Sequence, residues 1–120
     1  MKKGYRELSH KELLSIQNGY GEKPVPSGTL FGLRCKGDSM EPTIPNGALA
    51  IIREQPEVED GEIAAVLVDD DNEATLKRVK HQGNLVMLMP DNKNYDPIIL
   101  DEEHPGRIVG KAVHVSWSIK

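Results

Sequence analysis

The stretch "KGDSMEPTIPNG", residues 36–47, sets Ser39 between an acid and a methionine, two residues after Gly37 and three before Pro42. A serine hydroxyl is a weak nucleophile until a neighbouring base takes its proton. Histidine is the usual base. Here His10, His81, His104 and His114 stand in four different segments with no motif around them. The other solution is a neutral lysine, which must be stripped of water so that its pKa falls. The segment "ATLKRVKHQ" supplies one in Lys77, 38 residues after Ser39 (77 − 39). As a strand, it would present Thr75, Lys77 and Val79 on one face and Leu76, Arg78 and Lys80 on the other. Arg78 and Lys80 then read as a solvated pair, and Lys77 as the lysine that points somewhere drier.

The surrounding segments must bring these two residues together. After "SHKELLSIQNGYG", which has capping-box spacing between Ser9 and Glu12 and predicts a short N-terminal helix, the segment "GEKPVPSG" reads as a linker arm. From residue 30 the pattern is one of strands: "LFGLRCKG", "GALAIIRE", "EIAAVLVDD", "ATLKRVKHQ", "LVMLMP", "IILDE" and the long "RIVGKAVHVSWSI". Eleven glycines and eight prolines punctuate them. The expected fold is mostly β: a twisted antiparallel sheet, or sheets, forming a partly closed barrel, preceded by the short helix. The divisions are an arm over 1–27 and one domain over 28–120. The closing strand would leave an exposed edge if unpaired, and Trp117 near its end suits an interface, so a homodimer is expected.

Combined with "PNG" and the "DGEIA…LKRV" block at this spacing, Gly-Asp-Ser-Met resembles the carboxy-terminal peptidase domain of LexA and related phage repressors, which the mutagenesis protein UmuD shares. The resemblance spans roughly residues 28–120. It implies Ser39 as nucleophile, Lys77 as general base, and an oxyanion site built from backbone N–H groups at Asp38 and Ser39. It further implies a dimerising, mostly β domain that cuts its own chain at an Ala-Gly or Cys-Gly bond, stimulated by the RecA filament. The cut would release an amino-terminal DNA-binding domain.

Two features depart from that pattern. No helix-turn-helix precedes the block, and neither Ala-Gly nor Cys-Gly occurs in the chain. The family's scissile bond lies well upstream of the serine, and counting back reaches the first few residues of this chain. The expectation is therefore a carboxy-terminal fragment of a longer repressor. A UmuD-like stand-alone protein, a non-cleaving dimerisation module and a signal peptidase-like enzyme, which shares the "SMEPT" and "KRV" signatures, are the alternatives.

Other chemistries find less support. A net charge of −4 gives no general affinity for nucleic acid, so DNA contact would need a domain absent from this chain. No apolar run reaches the ~20 residues of a membrane span, and no signal peptide opens the chain. The single Cys35 excludes an internal disulfide and points to the cytoplasm. It sits on the apolar parity of its strand and reads as core. The acidic run over 69–73 lacks the spacing of a calcium loop and reads as a hairpin turn. No zinc spacing occurs, and neither metal nor cofactor is expected.

Because neither Ala-Gly nor Cys-Gly occurs, and Ser27-Gly28, the closest mimic, lies too few residues before Ser39 for the chain to double back into the site, the intact chain should survive incubation at about pH 10, near the reference lysine pKa. Intact-mass spectrometry checks this. A Ser39-dependent fragment pair from any internal bond would place the substrate segment inside residues 1–120.

Overall fold

The computed structural model describes residues 5–7 (backbone), 28–69 and 73–117. Eight strands make one antiparallel sheet: β1 (Tyr5–Glu7), β2 (Leu30–Arg34), β3 (Leu49–Glu54), β4 (Ile63–Val68), β5 (Thr75–Gln82), β6 (Leu85–Met89), β7 (Ile98–Leu100) and β8 (Gly106–Ser116). The strand order is β1-β2-β3-β8-β4-β5-β6-β7. The mostly β expectation holds, and the described residues contain no helix. The sheet is open, ending in β1 on one side and β7 on the other. The helix expected over 9–21 lies outside the described residues.

From β4 to β7 each strand pairs with the next, as consecutive hairpins. The closing strand breaks that order. β8 is not an edge: it lies between β3 and β4 and pairs with both. It does so with two register shifts, opposite Ile51/Ile52 of β3 and opposite Ala65/Val66 of β4. Extra residues in one strand bend it and increase its twist, so a single strand serves two differently inclined neighbours. Trp117 follows β8 and is exposed.

The sheet is covered on both faces near its middle, which explains the unbroken apolar run "IAAVLV" in β4. Ala65 joins a core with Phe31, Leu33, Ile52, Leu76 and Val109. Ala64 and Val66 join a second core with Val58, Val79, Leu88 and Leu100. The alternation of β4 and β5 thus feeds two cores rather than one core and solvent.

Gly110 shows how closely β8 is held. It stands opposite Glu54 of β3 and Ala65 of β4. A Cβ there would lie 2.3 Å from the Arg53 carbonyl oxygen and 2.7 Å from Ile52 Cγ2. Backbone cannot yield as a side chain can. Gly110→Ala should therefore destabilise the domain by about 1–3 kcal/mol, the usual range for overpacking, read as a lowered urea midpoint at unchanged m-value. An unchanged midpoint would mean that β8 sits more loosely than described.

Candidate active site

The loop between β2 and β3 carries Ser39. It is closed at its base by Cys35 N–H to the Ala48 carbonyl (2.8 Å) and Gly47 N–H to the Cys35 carbonyl (2.9 Å). Its interior is pinned by Met40 and Ile44, 1% and 0% exposed, which plug the first core. Gly37 has φ +88°, a backbone conformation that suits glycine, and its N–H donates to Asn46 Oδ1 at 2.8 Å. Two turns follow, Glu41 N–H to the Asp38 carbonyl (3.1 Å) and Ile44 N–H to the Met40 carbonyl (2.8 Å). The Gly-Asp-Ser-Met motif is thus a turn, as its composition suggests, with its methionine buried and Ser39 half-buried.

Lys77 of β5 meets it. Lys77 is the only buried charged residue among those described, at 8% exposure. Its Nζ lies 3.0 Å from Ser39 Oγ, 2.7 Å from Thr75 Oγ1 and 3.1 Å from the Leu76 carbonyl oxygen. Among the described residues, no carboxylate pairs with it. Burial disfavours the charged ammonium and pushes the Lys77 pKa down, against a smaller opposite influence from Cys35. Cys35 lies nearby with its own thiol pushed up by burial. Its sulfur is core, as its parity predicts, and it also lines the cleft.

Ser39 and Lys77 open onto a cleft of ≈ 260 Å³. Leu33, Cys35, Met40, Thr75 and Leu76 form its walls, with Lys36 and Glu73 at the exposed rim, paired at 2.9 Å. No histidine among the described residues lines it. Among the described residues, the N–H groups of Asp38 and Ser39 meet no intramolecular acceptor. Also among the described residues, no group of three or more His, Cys, Asp or Glu side chains is arranged to hold a metal.

The two side chains singled out by type and spacing therefore lie within hydrogen-bond distance. The reading of Arg78 as a solvated partner of Lys80 is not what the structure shows. Lys80 is exposed. Arg78 forks onto Asp91, Nε to Oδ1 at 2.9 Å and an Nη to Oδ2 at 2.7 Å, and its other Nη donates to the Gly61 carbonyl at 2.6 Å. The guanidinium holds the Asp91 carboxyl below its ordinary range, and Asp91 accepts from Thr43 Oγ1 at 2.5 Å. The β6–β7 loop "DNKNYDP" is thereby tied to the serine loop. Asn92 N–H donates to the Ser39 carbonyl, and Asn92 Nδ2 to the Asp38 carbonyl, each at 3.0 Å. Tyr95 donates its hydroxyl to the Asp38 carboxylate. By composition, "DNKNYDP" reads only as a loop between two strands. The density of Asp, Asn and Tyr in it was the one available signal of a polar latch.

Known proteins share this arrangement of segments. The family model for S24-like peptidases ("Peptidase S24-like") matches residues 2–113. The chain is 38% identical over 112 residues to a LexA repressor from Citrifermentans bemidjiense, covering 90% of this chain and 55% of the relative. It is 46% identical over 90 residues to one from Oleidesulfovibrio alaskensis, covering 74% and 42%. It is 44% identical over 92 residues to one from Acidothermus cellulolyticus, covering 76% and 32%. The chain thus spans between about a third and just over half of the length of these relatives. A match that runs through the serine loop, the lysine strand and most of β8 is a match to the whole sheet, and on it the chain belongs to the S24-like peptidase family.

Proposed function

We propose that residues 28–120, with β1 of the preceding arm over 1–27 at the edge of their sheet, form a serine peptidase domain in which Ser39 is the nucleophile and Lys77 its general base. The observation that carries this reading is the 3.0 Å separation of Ser39 Oγ and a buried Lys77 Nζ that has no carboxylate partner among the described residues. A neutral lysine amine has two N–H donors and one lone pair. The donors suit Thr75 Oγ1 and the Leu76 carbonyl, which leaves the lone pair for the Ser39 hydroxyl proton.

The chemistry follows from those positions. Lys77 takes the hydroxyl proton as Oγ attacks a backbone carbonyl held in the cleft. The oxygen of that carbonyl becomes an anion facing the N–H groups of Asp38 and Ser39, whose hydrogens have no competing acceptor among the described residues. Lys77 then returns the proton to the departing amine. Water, entering with Lys77 again as base, releases the acyl group from Ser39. The substrate on this reading is an Ala-Gly or Cys-Gly bond of the same polypeptide, upstream of residue 1. The domain acts as the peptidase and dimerisation part of a LexA-like or phage-type repressor of the DNA-damage response, in the cytoplasm. DNA contact comes through a separate domain, in keeping with the net charge of −4 on this one. A RecA filament is the stimulating partner.

A fluorophosphonate probe tests the site without knowledge of the scissile bond. It should label Ser39, identified by peptide mass. Ser39→Ala should abolish labelling, and Lys77→Ala should slow it by about a hundredfold or more, since nucleophile and base act as a unit. Both variants should keep the wild-type circular dichroism. Undiminished labelling in Lys77→Ala would remove the lysine from the mechanism.

The pH dependence has a definite sign. Burial lowers the Lys77 pKa, and only the neutral amine can accept a proton. Labelling should therefore rise with pH and level off below the ordinary lysine range. A rate that keeps climbing through that range would mean a solvated lysine, and a flat profile would mean a different base.

A further inference from the structure

The Ser39 N–H can stabilise an oxyanion only if it points into the cleft, and something must hold it there. We propose that Asn92 is the positioning residue that does so. The proposal rests on the reading of Ser39 as nucleophile. In a trans peptide the N–H and C=O of one unit point in opposite directions. The Asp38–Ser39 unit presents its carbonyl to Asn92 Nδ2 at 3.0 Å and to Glu41 N–H at 3.1 Å. Two donors occupy both lone pairs of that oxygen and fix the plane of the unit. The next unit, Ser39–Met40, presents its carbonyl to Asn92 N–H, also at 3.0 Å. One asparagine thus holds the carbonyls on both sides of the serine.

Asn92 lies on the far side of the loop from the chemistry. Ser39 and Met40 line the cleft, whereas Asn92 does not. With both carbonyls drawn toward Asn92, the Ser39 N–H is turned away from it, toward the cleft, and no described acceptor competes for it. Asn92 itself is seated from two sides. Its neighbour Asp91 is clamped by Arg78 and Thr43, and its own Oδ1 accepts the Asn94 N–H at 3.0 Å. The asparagine amide is oriented by this second contact: Oδ1 faces a donor, so Nδ2 must face the Asp38 carbonyl.

The test is Asn92→Asp in the full chain, which keeps size and backbone N–H but places a carboxylate oxygen against the Asp38 carbonyl. Asn92→Ala is the second variant. Ser39 labelling by the fluorophosphonate is followed across pH. The plateau rate should fall about tenfold or more in both, part of what deletion of an oxyanion donor costs. The midpoint, set by Lys77, should stay in place. A merely structural role would loosen the serine loop, expose Lys77 and move the midpoint upward. In the wild type, the Ser39 amide proton should shift downfield in NMR once the phosphonyl oxygen occupies the site, and this shift should be lost in the variants. A plateau within about twofold of wild type, or no downfield shift in the wild type, would overturn the role of Asn92 while leaving Ser39 and Lys77 intact. Absence of the wild-type shift would overturn the proposal even if both variants fail to fold. Absence of Lys77-dependent labelling in the wild type would overturn the reading of the site and this inference with it.

Discussion

A primary amine buried beside a serine hydroxyl costs solvation that no other charged residue among those described gives up, and the surrounding structure keeps it in place. A charged ammonium in such a place loses its hydration, and among the described residues no carboxylate compensates Lys77. It is held by one side-chain hydroxyl, one backbone carbonyl and Ser39. That set can be satisfied by the neutral amine. Walls from both flanks keep water away: Leu33 and Cys35 of the β2 end, Met40 of the loop, and Leu76 of β5 itself. The first core is therefore more than ballast, because its boundary is also the wall of the site.

The serine loop reaches this wall through two kinds of support. Apolar support comes from below, where Met40 and Ile44 enter the first core. Polar support comes from outside, where the β6–β7 loop grips it through Thr43–Asp91, Asn92 and Tyr95. Arg78 ties that second loop to the turn at Gly61 before β4. It is adjacent to Lys77 on β5 but serves the opposite purpose. One basic residue is kept from carboxylates, and its neighbour is committed to one.

Much of this was legible in the residues. Alternating and continuous apolar runs gave seven of the eight strands, and the serine-to-lysine spacing with its flanking motif gave the pair at the cleft. Three things were not. The order β3-β8-β4 depends on pairing between strands far apart in the chain, which leaves no local pattern. The two-sided burial of β4 and β5 hid Arg78: parity assigned it to solvent, and only a loop from elsewhere supplied the Asp91 that holds it. The latch by Asn92 uses backbone carbonyls as acceptors, and any residue offers those, so the serine loop carries no mark of its partner. The two N–H groups at Asp38 and Ser39, by contrast, were reached through family resemblance rather than composition.

The place of β8 has a consequence for how this chain acquires its shape. β1, β2 and β3 form one sheet segment and β4 to β7 another, and among the described residues no ladder joins them except through β8. Each segment can zip up locally. The serine loop belongs to the first and the lysine strand to the second, so neither segment contains a site. Both pairings of β8 reach back across many residues, to 49–54 and to 63–68, and such non-local pairing carries a loop-closure cost that slows folding. Until that strand docks, no backbone ladder among the described residues joins the body that carries the serine to the body that carries the lysine, and side-chain and loop contacts alone span the gap.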